Sequence, residues 1–201
     1  MPMNESLKLI LERLQARDTL QTLSPAAVWE ESLEADIQML SFPTPTSASA
    51  VDRTMFALKA GLHLRNDSLD RSHSYSQEIE DDATGCYWHG IMHRMEGDYW
   101  NANYWFRSAG THPVKARLQE RVPEYLRSEV NIEALPEGSI RDLLMSIRDG
   151  DTWKAPIFTD AVQRQESGTV SGETRAILEY IQHIEISELL AYTVAAAANQ
   201  E

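Results

Sequence analysis

Apolar residues recur along this chain with helical spacing almost from end to end. Leu7, Ile10, Leu11 and Leu14 fall at i, i+3, i+4 and i+7, one face of an amphipathic helix. Ser24 followed by Pro25 reads as an N-cap and a first helical residue, with Glu30 and Glu31 soon after, and predicts a helix that ends before Phe42-Pro43. Ser41 to Ala50, rich in Pro, Ser and Thr, predicts a linker. Helices are expected over 51–65, broken by Asn66-Asp67, and over 69–80. Another is expected over 86–96 after Gly85, with Gly97 as a break and Asp98 capping the next through Ala109. Three more are expected at 114–127 (interrupted near Pro123), 139–148 and 156–165. Gly168 and Gly172 mark a loop before a long last helix, Glu173 to about Ala198, with Ile177, Leu178, Ile181, Ile184 and Leu189 inward. No alternating strand pattern occurs. The expected fold is all-α: one domain over 1–201, with residues 1–41 as an N-terminal helical arm and 41–50 as the linker.

One helix breaks the pattern. In 86–96, CYWHGIMHRME, positions expected to be apolar carry His89 and His93. At about 100° per residue, with His89 at zero, His93 falls near 40°, Cys86 near 60° and Glu96 near −20°. These residues form one stripe. Trp88, Ile91, Met92 and Met95 form a separate apolar stripe, and Gly90 and Gly97 lie where a neighbouring helix can approach. The preceding helix repeats the spacing with His73, Gln77 and Glu80.

Two histidines at i and i+4 on a helix can share a metal ion. Glu96 would add a carboxylate to His89 and His93, a donor set suited to Zn, Fe or Mn, and His73 and Glu80 would approach the same cavity if the helices stack. A second reading is a buried hydrogen-bond network in which His89 and His93 bond Glu80, Glu96 or Asn103. A third is a pocket for a small polar or anionic ligand, with Arg94, Arg107 and His112 as donors and His73 beside them. Cys86 reads as a small packing residue, Trp88, Trp100, Tyr104 and Trp105 as core or edge aromatics, and His63 and His183 as structural or surface residues.

Composition narrows the field. The net charge of −13 argues against nucleic acid and anionic membranes, both of which need clustered Lys and Arg. A single cysteine excludes an intramolecular disulfide and a Cys-rich zinc site. No apolar run reaches membrane-spanning length and the N-terminal stretch is not a signal peptide, so the cytoplasm is the expected location. Nucleotide-binding glycine motifs and a nucleophile elbow are absent from the sequence. A monomer or homodimer is expected, with a small-molecule ligand or a protein as partner.

A weak repeat is present. Ala60-Gly61-x-x-Leu64 precedes His89-Gly90-x-x-His93, and Ser72 and Ser76 precede Ala102 and Phe106, at a period near 30 residues. Gly90, Gly97-Asp98-Tyr99, Ala102, Trp105-Phe106 and Ala109 resemble the Sel1-like and tetratricopeptide helical hairpin over residues 86–113, with a weaker copy at 57–80. LDRSH at 69–73 and WKAPIFTD at 153–160 are also similar to stretches of bacterial helical proteins. The resemblance implies right-handed hairpins with extra capping helices, and a protein-binding scaffold as the alternative to an internal site. The chain departs from that motif at Cys86, His89 and His93, where bulky apolar residues are usual.

Overall fold

The computed structural model describes residues 5–41, 48–168 and 172–198. Among these residues there are ten α-helices, one short 3-10 turn (Ile132–Ala134) and no strand. The helices are α1 (Glu5–Gln15), α2 (Glu31–Met39), α3 (Ala48–Arg65), α4 (Leu69–Gln77), α5 (Ala83–Glu96), α6 (Tyr99–Ser108), α7 (Val114–Ser128), α8 (Ser139–Asp149), α9 (Ala155–Ser167) and α10 (Gly172–Ala198). The protein is all-α, and among the described residues no helix is long and apolar enough to cross a membrane.

Consecutive helices α3 to α6 pack side by side, and α5 lies in the interior against α3, α4, α6 and α10. Its residues from Gly85 to Met95 are all buried. Local chemistry fixes both ends of α5. The Asp82 carboxylate accepts from Thr84 N at 2.8 Å and Gly85 N at 3.0 Å, a side-chain N-cap. Gly97 stops the helix at φ 89°, a left-handed conformation that costs glycine little. Asp98 starts α6 by accepting from Asn101 N at 3.1 Å.

Two close approaches set the spacing around α5. A Cβ added to Gly90 would lie 2.8 Å from the Phe106 ring of α6, and one added to Gly61 of α3 would lie 2.5 Å from Trp88. Ser72 and Ser76 of α4 are as deeply buried as Ala102 and Phe106 of α6. At the other end of the chain, Leu7, Ile10 and Leu14 of α1 and Leu33 and Ile37 of α2 form a second core with Leu58 and Leu62 of α3 and Ala197 of α10. Within residues 1–41, α1 packs on α2 and α2 on α3, and all three share this second core.

Several expected boundaries move. No helix starts at Ser24-Pro25, because α2 begins at Glu31. The preceding segment spends its backbone donors on the end of α3: Trp29 N donates to Asn66 O at 2.9 Å and Glu30 N to Asn66 Oδ1 at 3.1 Å. Gln21 Nε2 adds a bond to Leu64 O at 2.9 Å. These tertiary bonds outweigh the local capping signal. α4 ends at Gln77, short of Glu80, and α5 begins before Gly85 because Asp82 caps it. α7 runs unbroken through Pro123. A mid-helix proline costs about 3 kcal/mol, and here its ring is buried in line with Val122 and Leu126, which offsets part of that cost. Gly97 is a C-cap facing open space, not a helix-approach position. Of the expected linker, residues 42–47 lie outside the described residues, and Ala48 to Ala50 belong to α3.

Candidate metal centre

Three histidines meet where α4 packs on α5. His89 and His93 stand one turn apart on α5 and are 2% and 6% exposed. His73 comes from α4 and is half-buried. One nitrogen from each lies within 4.8 Å of the others. The His89 and His93 rings are 4.7 Å apart and nearly parallel, at 15°. His73 stands across both, at 4.9 Å from His89 and 5.1 Å from His93, tilted by 57° and 68°. Trp105 of α6 lies flat on His89 at 4.2 Å and 13°.

Glu96 completes one side. Its Oε1 stands 2.5 Å from His93 Nδ1, which leaves Nε2 as the His93 nitrogen available to a ligand. Burial, then the charges of His93 and His73, push the His89 imidazole down to about 3, so it is neutral at physiological pH. Burial and His93 also hold His73 below the ordinary histidine range, against the pull of Glu96, Asp70 and Glu80. Both ring nitrogens of His89 are buried without a hydrogen-bond partner. A buried polar group in that state calls for an explanation. Asp98 also approaches His93 and Glu96, but its oxygens accept from Asn101 N and Nδ2 as the cap of α6.

The other candidate donors lie elsewhere. Arg94 points away from the histidines and is fully buried, with Nη2 2.5 Å from Glu185 Oε2 of α10. Its guanidinium lies over the Phe158 ring at 4.5 Å. Tyr87 OH donates to Glu185 Oε1 at 2.9 Å and accepts from Trp153 Nε1 at 2.9 Å, which closes a buried polar chain. Arg107 is exposed on α6. His112 is buried beside Thr84 Oγ1 at 3.2 Å, accepts from Val114 N at 3.1 Å, and is pushed down to about 4 by burial. The anion pocket expected from Arg94, Arg107 and His112 is therefore not assembled.

The expected histidine network forms only at His93 and Glu96. Among the described residues neither His89 nitrogen nor Asn103 Oδ1 has a partner. Glu80 and Gln77 are exposed, and the Glu80 carbonyl accepts from Cys86 Sγ at 3.1 Å. Burial and nearby acids push the Cys86 thiol up to about 11, which keeps it protonated and unreactive. Trp105, expected as a core or edge aromatic, lines the histidine cluster, while Trp100 is 74% exposed. Its placement was not readable from α5 alone, since only the α5–α6 packing puts it there.

Set against known proteins, the chain matches no family model, no curated protein and no solved structure.

Proposed function

We propose that His73, His89 and His93 hold a divalent transition metal, with zinc, iron(II) and manganese(II) as the candidate ions. The reading rests on one observation: three imidazole nitrogens converge within 4.8 Å, and both nitrogens of the innermost ring are buried without partners. Nitrogens bound to one zinc at ~2.1 Å in tetrahedral geometry stand about 3.4 Å apart. Ring rotations that bring them closer by up to about 1.4 Å reach that spacing, within the soft range of a histidine χ2.

The donor set fits such an ion. Neutral imidazole is the metal-binding form, and His89 is held neutral by its surroundings. Glu96 takes the supporting place rather than that of a direct ligand: a carboxylate on Nδ1 fixes the tautomer, raises the basicity of Nε2 and orients the ring. Three histidines leave a fourth position on the ion for water or a small polar ligand, the arrangement of hydrolytic and hydrating metal sites rather than of closed structural ones. The bound ion would supply Lewis acidity, while His73, the least buried of the three, stands on the side open to solvent. Cobalt(II) titration of the chelator-treated protein tests the reading. A saturable visible spectrum of a low-coordinate nitrogen site at one equivalent, absent in His89→Ala, is expected. An octahedral, aquo-like spectrum with no saturation would defeat it.

A scaffold role has one observation of its own. Trp100 and Tyr104 on α6 are 74% and 46% exposed and stacked at 6.4 Å, an aromatic patch suited to a protein partner. Read with α3 to α6 as two Sel1-like hairpins, that face is the surface such a partner would use.

A further inference from the structure

A cleft of about 640 Å³ opens between the end of α1, the loop after it, the end of α3 and α10. Its size is that of a small-molecule site. Leu11, Leu14, Leu190, Ala191 and Val194 supply the apolar part of its lining. Arg17, Arg65 and His183 line the same cleft.

Their charges are not balanced locally. The Arg17 side chain is 93% buried, being 7% exposed, and its Nη1 stands 2.7 Å from Asp67 Oδ2. That contact lacks hydrogen-bond alignment, so Arg17 Nε and Nη1 are both buried without an acceptor. Arg65 Nη1 donates to the Gln21 side chain at 2.8 Å, a neutral partner. Gln21 in turn donates to Asp67 Oδ1 at 2.6 Å, so Asp67 serves both the glutamine and Arg17. His183 Nδ1 is likewise buried and unpartnered. Two buried cations against one buried carboxylate leave a single positive charge. Asp18, the acid on the lining itself, is exposed to water, where its field is screened. Burial and the neighbouring Arg17 both disfavour the charge on Arg65, and a bound anion would relieve that strain.

From the excess of guanidinium donors over acceptors and the apolar residues lining the same cleft, we infer that this cleft binds an amphipathic monocarboxylate, its head group on Arg17 and Arg65 and its hydrocarbon tail along Leu14, Leu190 and Val194. A monoanion matches the single excess charge, and a carboxylate matches the planar donor fork of arginine. The site is separate from the histidine cluster, so its occupancy does not depend on a metal.

Calorimetric titration of the full chain with octanoate, octanol, acetate and octyl phosphate tests this. Octanoate is expected to bind saturably at one equivalent, with acetate and octanol each weaker by about tenfold or more. Arg17→Gln is expected to weaken octanoate by about tenfold or more. Ala191→Trp, at an exposed position on the lining, keeps the fold and blocks the cleft, so it tests the site even if Arg17→Gln does not fold. Octanoate affinity unchanged in Ala191→Trp, no octanoate binding at millimolar concentration, or equal affinity for octanol would overturn the assignment. Tighter binding of octyl phosphate than of octanoate would overturn the monoanion. Loss of metal in His89→Ala with octanoate binding intact would separate this site from the metal centre.

Discussion

His89 lies flat on Trp105, ring centroids 4.2 Å apart and planes 13° from parallel. The contact joins α5 to α6 and places an aromatic face against one side of a buried imidazole. With His93 stacked on the other side, water has no access to either face of the ring, and the charged form is disfavoured. The ring is held in place and neutral, and its buried, unpartnered nitrogens are open to an ion.

From this it follows that His89→Leu barely affects the metal-free protein. No hydrogen-bond partner is orphaned by removing the imidazole, so urea unfolding should give a stability within about 1 kcal/mol of wild type. Metal retention should be lost. A loss of about 1–3 kcal/mol in the metal-free state would instead mark His89 as part of a polar network.

The pH dependence has a definite sign. His89 and His112 are pushed down to about 3 and about 4 in the folded protein, against ~6.5 in an unfolded chain. Between those values the unfolded state holds more protons. Stability is therefore full above pH ~6.5 and declines as pH falls toward 4, by up to about 1.4 kcal/mol per pH unit for each histidine. Urea melts of chelator-treated protein across that range should show it, and His89→Leu should flatten the slope by up to about 1.4 kcal/mol per pH unit, the rest coming from the other histidines held below the ordinary range.

Glu96→Gln separates support from ligation. The Glu96 side chain is 39% exposed, so its loss leaves the fold intact. An amide holds His93 less basic, and metal affinity should fall by about 10- to 100-fold. Competition against a chromophoric chelator measures it. An unchanged affinity would remove Glu96 from the centre.

The Arg94–Glu185 pair is a stability element. Both side chains are wholly buried, and Glu185 also serves Tyr87. Arg94→Met strands a carboxylate in the interior and should cost about 3–5 kcal/mol by denaturant unfolding. If Arg94 bound a ligand instead, its loss would alter binding with little effect on stability.

Much of this architecture was readable in advance, and the departures have physical causes. The periodic segments α1 and α6 stand where their apolar spacing puts them, because each buries one face, and α10 stands where expected although it buries residues on more than one face. The His89/His93 stripe was equally plain, since i and i+4 share a helix face whatever the tertiary context. His73 was harder to place, because only the packing of α4 on α5 decides which residues of α4 meet it. Arg94 was misplaced for a related reason. It sits next to His93 in sequence, but its partner Glu185 lies 91 residues further on, and no local pattern announces that pairing. The false helix start at Ser24-Pro25 has the same origin: Asn66, distant in sequence, takes the backbone donors of that segment.

Elemental analysis of the untagged protein, purified without chelators and run beside a His89→Ala/His93→Ala double variant, tests the central claim most directly. The account predicts close to one equivalent of zinc, iron or manganese in the wild type and none in a folded double variant. Wild-type protein that carries no metal, and takes none up on reconstitution with each ion, would contradict it.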